Sequence, residues 1–135
     1  MQNFIYALIQ VIHNLGAATA VGAAASALWL VRGNTAVQHR LALFAAAAWA
    51  VQAASGASFG ATTYLFEGHL PDIHGIAVDA LLVKIICAVA GFVLAFTYAR
   101  SHSGWTRDKQ LLVWRILFAT GIVALCSAAF LRWFS

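Results

Sequence analysis

Charge is what this sequence has least of. Asp, Glu, Lys and Arg make up 9% of its 135 residues, against 63% hydrophobic ones, whereas soluble domains carry about 25% charged residues. A soluble globular domain is excluded on that ground. Also missing are a nucleophile–base–orienter arrangement, a glycine-rich phosphate loop and a pair of catalytic carboxylates, so an independent hydrolase is not expected. The net charge of +4 does not point to nucleic acid, because the positive residues fall at the ends of apolar runs. No positive n-region precedes the first such run. That run is too long for a cleaved signal peptide and is interrupted by His13 and Asn14, although the small residues at 23–27 resemble a cleavage site.

What is present is four apolar runs, each reaching the roughly 20 residues that cross a bilayer core. The expectation is an all-α integral membrane protein, one domain over 1–135, built as a four-transmembrane-helix bundle. Its helices should cover about 4–31, 41–64, 76–98 and 110–134. Polar residues Tyr6, Gln10, His13 and Asn14 recur on helix one at three- and four-residue spacing, which puts them in one stripe. In lipid such a stripe must face other helices, since an unpaired polar group there costs several kcal/mol. Gly16, Ala20 and Ala24 let backbones approach closely. Gln52, Ser55, Phe59 and Thr62 give helix two a weakly polar face expected to meet helix one.

Of eight Lys and Arg residues, six gather around the first and third connections: Arg32, Arg40, Arg100, Arg107, Lys109 and Arg115. The connection between helices two and three has none. The positive-inside rule therefore puts both basic loops in the cytoplasm and both termini on the periplasmic side. The chain is expected to be a multi-pass protein of the bacterial inner membrane, with the lipid bilayer as its first partner.

The stretch EGHLPDIHGIAVDALLVK, residues 67–84, departs most from this background. Glu67, His69, Asp72 and His74 fall within eight positions, and Pro71 and Gly75 mark a turn. Nitrogen and oxygen ligands at this density chelate a divalent metal once a turn gathers them; the alternative is a solvated connector. Asp79 and Lys84 follow inside an apolar run, where ionisable residues default to functional hypotheses. At 1.5 Å per residue, His13 lies about 13 Å, Lys84 about 12 Å and Asp79 about 5 Å from the outer helix ends. Cys87 and Cys126 fall in a similar layer, as soft-metal ligands or as small core residues. Gln10, Asn14 and Gln52 complete the intramembrane polar set. His39 and His102 read as ordinary residues of the basic loops.

The run DALLVKIICAVAGFVLAFTYAR resembles the penultimate helix of the CopD copper-resistance domain, and IHNLGAATAVGAAASALWL is similar to that family's opening helix. The resemblance covers about two helices of four. It implies an inner-membrane unit that binds or passes copper from the periplasmic side, with His13 and Lys84 as the residues carried over and a periplasmic copper-binding protein as partner. Similar His and Lys placement occurs in HemJ-type proteins, which implies haem b as the alternative cofactor, with a propionate as a partner for Lys84. A third reading is an accessory subunit of a larger membrane complex or a homo-oligomer. Met1 is the sole methionine, so the thioether ladder expected of a Cu(I) transport path is absent.

Overall fold

A computed structural model describes residues 1–134 as four long helices joined by short connections. Helix α1 spans Gln2–Ala25 and continues into a π-helical turn, Ser26–Leu30, closed by the Val31 N–H donating to the Ser26 carbonyl at 3.0 Å. Helix α2 is Thr35–Glu67 and α3 is Ile76–Ser101, followed by a 3₁₀ turn, His102–Gly104; α4 is Arg107–Phe134. All four are long and apolar enough to cross a membrane.

The four helices lie over the stretches 4–31, 41–64, 76–98 and 110–134 and overrun them mainly at the basic end. Asn34 explains the largest difference. Its side chain accepts the Val37 N–H at 3.1 Å, an N-cap that satisfies one orphan donor and starts α2 at Thr35. His39 and Arg40 therefore sit on α2 instead of in a loop. At its other end α2 runs through Glu67 and stops at Gly68, whose φ of 77° takes the left-handed conformation and whose N–H bonds the Tyr64 carbonyl. Glycine adopts that conformation without a Cβ clash.

The helices form an up-down-up-down ring: α1 packs on α2, α2 on α3, α3 on α4, and α4 back on α1. Between membrane helices close packing and polar contacts replace the hydrophobic effect, and the core is correspondingly small. Ala24, Ala42, Ala77 and Ala95 are fully buried. Gly16 and Ala20 also face inward, as the four-residue spacing requires. A Cβ at Gly91 would overlap the indole of buried Trp49, and one at Gly121 would come within 2.8 Å of Val21. Toward the basic end the core thickens around Tyr98, Trp114 and Leu117, the largest fully buried side chains. Leu8, Phe44, Ile86, Val89 and Phe130 point outward, a surface suited to lipid.

Candidate functional site

A ladder of polar contacts climbs the α1–α2 seam from the end that carries Glu67. Gln2 Nε2 donates to Glu67 Oε1 at 3.2 Å. One turn deeper, the Tyr6 hydroxyl meets Thr63 Oγ1 at 2.7 Å, and the Tyr6 ring stacks on Phe59. Below that sits His13, 6% exposed. Its Nδ1 lies 2.7 Å from Ser55 Oγ and its Nε2 lies 2.9 Å from Lys84 Nζ, which reaches across from α3. Phe59 closes edge-on against the imidazole, with ring centroids 5.8 Å apart. The Gln52 side-chain amide donates to the His13 carbonyl.

The bonds fix the direction of every proton in this group. Ser55 Oγ is 2.6 Å from the Val51 carbonyl. Two oxygens that close share a hydrogen, and a carbonyl has none to give. The single serine hydrogen therefore points to Val51, and Ser55 can only accept from the ring. His13 carries its hydrogen on Nδ1, which leaves Nε2 as a lone pair. Lys84 donates to it. The chain of donation runs Lys84 to His13 to Ser55 to the α2 backbone, and links three helices around one imidazole lone pair. A ring nitrogen freed for ligation, with its opposite N–H held by a second group, is the arrangement metal-binding histidines adopt.

The other sequence-expected residues are not gathered around this point. In the connection between α2 and α3, Glu67 pairs loosely with His69 at 3.9 Å and Asp72 with His74 at 3.3 Å. These are two separate, largely exposed pairs, and among the described residues no group of three or more His, Cys, Asp or Glu side chains could hold a metal ion. The physical reason is that α2 keeps Glu67 on its last turn while the connection runs out past Pro71, which spreads the four side chains. Cys87 packs in the core beside Ala20, Ala48 and Trp49, whereas Cys126 is exposed, and both are free thiols. Asp79 lies exposed in the first turn of α3, where a carboxylate suits the helix dipole. The stripe on α1 divides: Tyr6 and His13 turn to α2, while Gln10 and Asn14 stay exposed and satisfy each other at 2.7 Å.

Sequence reasoning missed a second polar group at the basic end. Gln38 Nε2 donates to the Ala27 carbonyl inside the π-helical turn, and the Tyr98 hydroxyl donates to Gln38 Oε1. His39 and His102 lie 5.2 Å apart, and His102 stacks on Tyr98. The signal that would have found them is Asn34, since a helix capped there carries Gln38 and His39 inward toward α1 and α3.

Fold and site together define a multi-pass, four-helix membrane protein with a buried histidine–lysine contact bridging the bundle. Compared with known proteins, the chain matches no family model, no curated protein and no solved structure.

Proposed function

We propose that the chain is a copper-handling protein of the bacterial inner membrane, of the CopD-like type, which receives the ion at His13 from the periplasmic side. One observation supports this above the rest: His13 offers a single oriented lone pair, with Nδ1–H committed to Ser55. Imidazole suits Cu(II). Lys84 occupies that lone pair at 2.9 Å, so its long, flexible stem must swing aside before a metal can bind, and it acts as a gate. The orientation of this reading rests on Arg32, Arg40, Arg100, Arg107, Lys109 and Arg115 lying at the end away from Glu67. Cysteines placed at Gly68 and Asn34 should then label from opposite sides of intact cells, with position 68 outside; labelling from one side ends it.

Haem b is the second reading. It is favoured by the Tyr6–Phe59 stack beside His13 and by the Lys84 amine, which suits a propionate. Among the described residues only one imidazole reaches this layer, so the residues fit a single axial ligand and not a bis-histidine haem. Metal analysis and Soret absorbance of the full chain, purified without added metal, separate the readings. The expected result is copper in fixed proportion to protein and no Soret band, with copper lost from His13→Ala and from His13→Gln while helicity persists. A Soret band that His13→Ala removes would transfer the site to haem. Neither signal, or copper retained by both variants, would overturn the proposal.

A further inference from the structure

At the basic end, the π-helical turn after α1 and the first half of α4 leave between them an open cleft of about 120 Å³, lined by Leu28, Trp29, Arg32, Leu111 and Arg115. Leu111 and Arg115 are four residues apart on α4, which puts them on one side of that helix, while Leu28 sits in the π-helical turn and Arg32 in the turn that follows it. Trp29 and both arginines are exposed, so the cleft opens on the outer surface of the bundle. Trp29 is held there edge-on against Phe118, with ring centroids 5.0 Å apart.

Arg115 is the unusual member. It lies eight residues into α4, about 12 Å along the helix, within an apolar segment. Helical side chains lean toward the N-terminus of their own helix, which for α4 is the basic end. Arg115 therefore extends back toward the level of Arg32, with its methylenes in the apolar layer and its guanidinium at the boundary.

Among the described residues neither Arg32 nor Arg115 makes an ion pair. The pairs of His69 with Glu67 and His74 with Asp72 lie at the opposite end. Asp108, the one carboxylate at the basic end, is seven residues from Arg115, about two turns along α4. The carbonyl end of α1 and the N-terminus of α4 both lie at this end, so their dipoles act on an anion in opposite senses. Attraction must come from the two guanidinium groups, whose planar forks match the oxygens of a phosphate.

We infer that this cleft binds the phosphate of an anionic phospholipid, held between Arg32 and Arg115 with its glycerol and upper acyl chain against Trp29, Leu28 and Leu111. The apolar walls select a lipid over a soluble phosphate. The position also fits, because basic pockets between membrane helices on the cytoplasmic side take lipid head groups. The site is independent of whether His13 takes copper or haem.

The test is native mass spectrometry of the full chain in detergent, titrated with phosphatidylglycerol or phosphatidylcholine. Phosphatidylglycerol should bind preferentially, and R32Q/R115Q should weaken it about tenfold or more, the loss of two charge-assisted contacts. R32K/R115K should fall between, since it keeps the charge and loses the fork. R100Q, which removes an exposed cation at the same end but outside the cleft, should bind as the unsubstituted chain does. Equal loss in R100Q would reduce the effect to general surface charge and overturn the site. So would equal binding of the two lipids. Inorganic phosphate alone giving the same thermal protection as phosphatidylglycerol would overturn the lipid assignment.

Discussion

Ser55→Ala isolates what orients His13. The substitution deletes the acceptor of the Nδ1–H, 2.7 Å away, and the serine's own bond to Val51. The Val51 carbonyl keeps its helical partner, so the loss falls on one buried imidazole N–H. In a water-soluble core such an orphan costs about 1–3 kcal/mol. Hydrogen bonds between membrane helices average about 0.6 kcal/mol and reach about 1.7, because the unfolded chain in the bilayer also finds partners. The membrane figure applies here, so stability should fall by about 0.6–1.7 kcal/mol. Ligand retention should suffer more. Without Ser55 the ring can carry its hydrogen on Nε2 and lose the lone pair, and loss of an orienting partner typically lowers metal affinity about 10–100-fold. At about 1.4 kcal/mol per tenfold, that is about 1.4–2.8 kcal/mol. Equilibrium unfolding and copper titration on the same preparations measure both quantities. Ser55→Thr, which keeps a hydroxyl able to bond the carbonyl four residues back, should restore most of the affinity. If Ser55→Ala binds copper as tightly as the unsubstituted chain while His13→Ala does not, Ser55 does not set the ring, and the proton directions assigned above are wrong.

Gly91→Ala should destabilise by about 1–3 kcal/mol, the usual cost of overpacking, because the new methyl would overlap the buried Trp49 indole; an unchanged unfolding temperature would mean that Trp49 repacks freely. Lys84→Met removes the group that occupies His13 Nε2. Copper retention should hold or rise, whereas a haem anchored through its propionate would be lost more readily, so a fall in copper binding would make Lys84 a ligand instead of a gate. His69→Ala combined with His74→Ala should leave copper retention close to that of the unsubstituted chain, since the outer pairs are exposed and apart; a loss as large as that of His13→Ala would return the site to the connection.

The spans were legible because lipid imposes a coarse rule: about 20 apolar residues must be continuous and their backbone satisfied within the helix. The inward position of His13 was legible for a related reason, since a lone imidazole in hydrocarbon has to find partners. Which partners it found was less so. Ser55 reads as one small polar residue among several on α2, and only the register between α1 and α2 brings its hydroxyl to Nδ1. Glu67, His69, Asp72 and His74 show the opposite failure. Proximity in sequence suggested a chelate, but the turn chemistry at Gly68, Pro71 and Gly75 fixes where the chain bends and not where four side chains converge. Gln10 and Asn14 misled for a third reason. Four residues apart on one helix, they satisfy each other, so they had no need to turn inward.

The two halves of the bundle solve the same packing problem with different materials, and the difference bears on access to His13. Toward the basic end, Tyr98, Trp114 and Leu117 fill the space among α1, α2, α3 and α4 with rigid rings and branched carbon. Toward the Glu67 end the α1–α2 seam is stitched by side-chain hydrogen bonds from Gln2, Tyr6 and His13. The side-chain hydrogen bond from α3 to His13 comes from Lys84, which is only partly buried. An aromatic cluster resists opening because every displaced ring leaves a void. A lysine stem with four methylenes can leave Nε2 by rotating its own bonds, with no helix displaced. The fold therefore places an exchangeable contact at the oriented lone pair and an aromatic cluster behind it. On the proposed reading, a ligand arriving from the Glu67 end would displace Lys84 without parting the helices of the basic half.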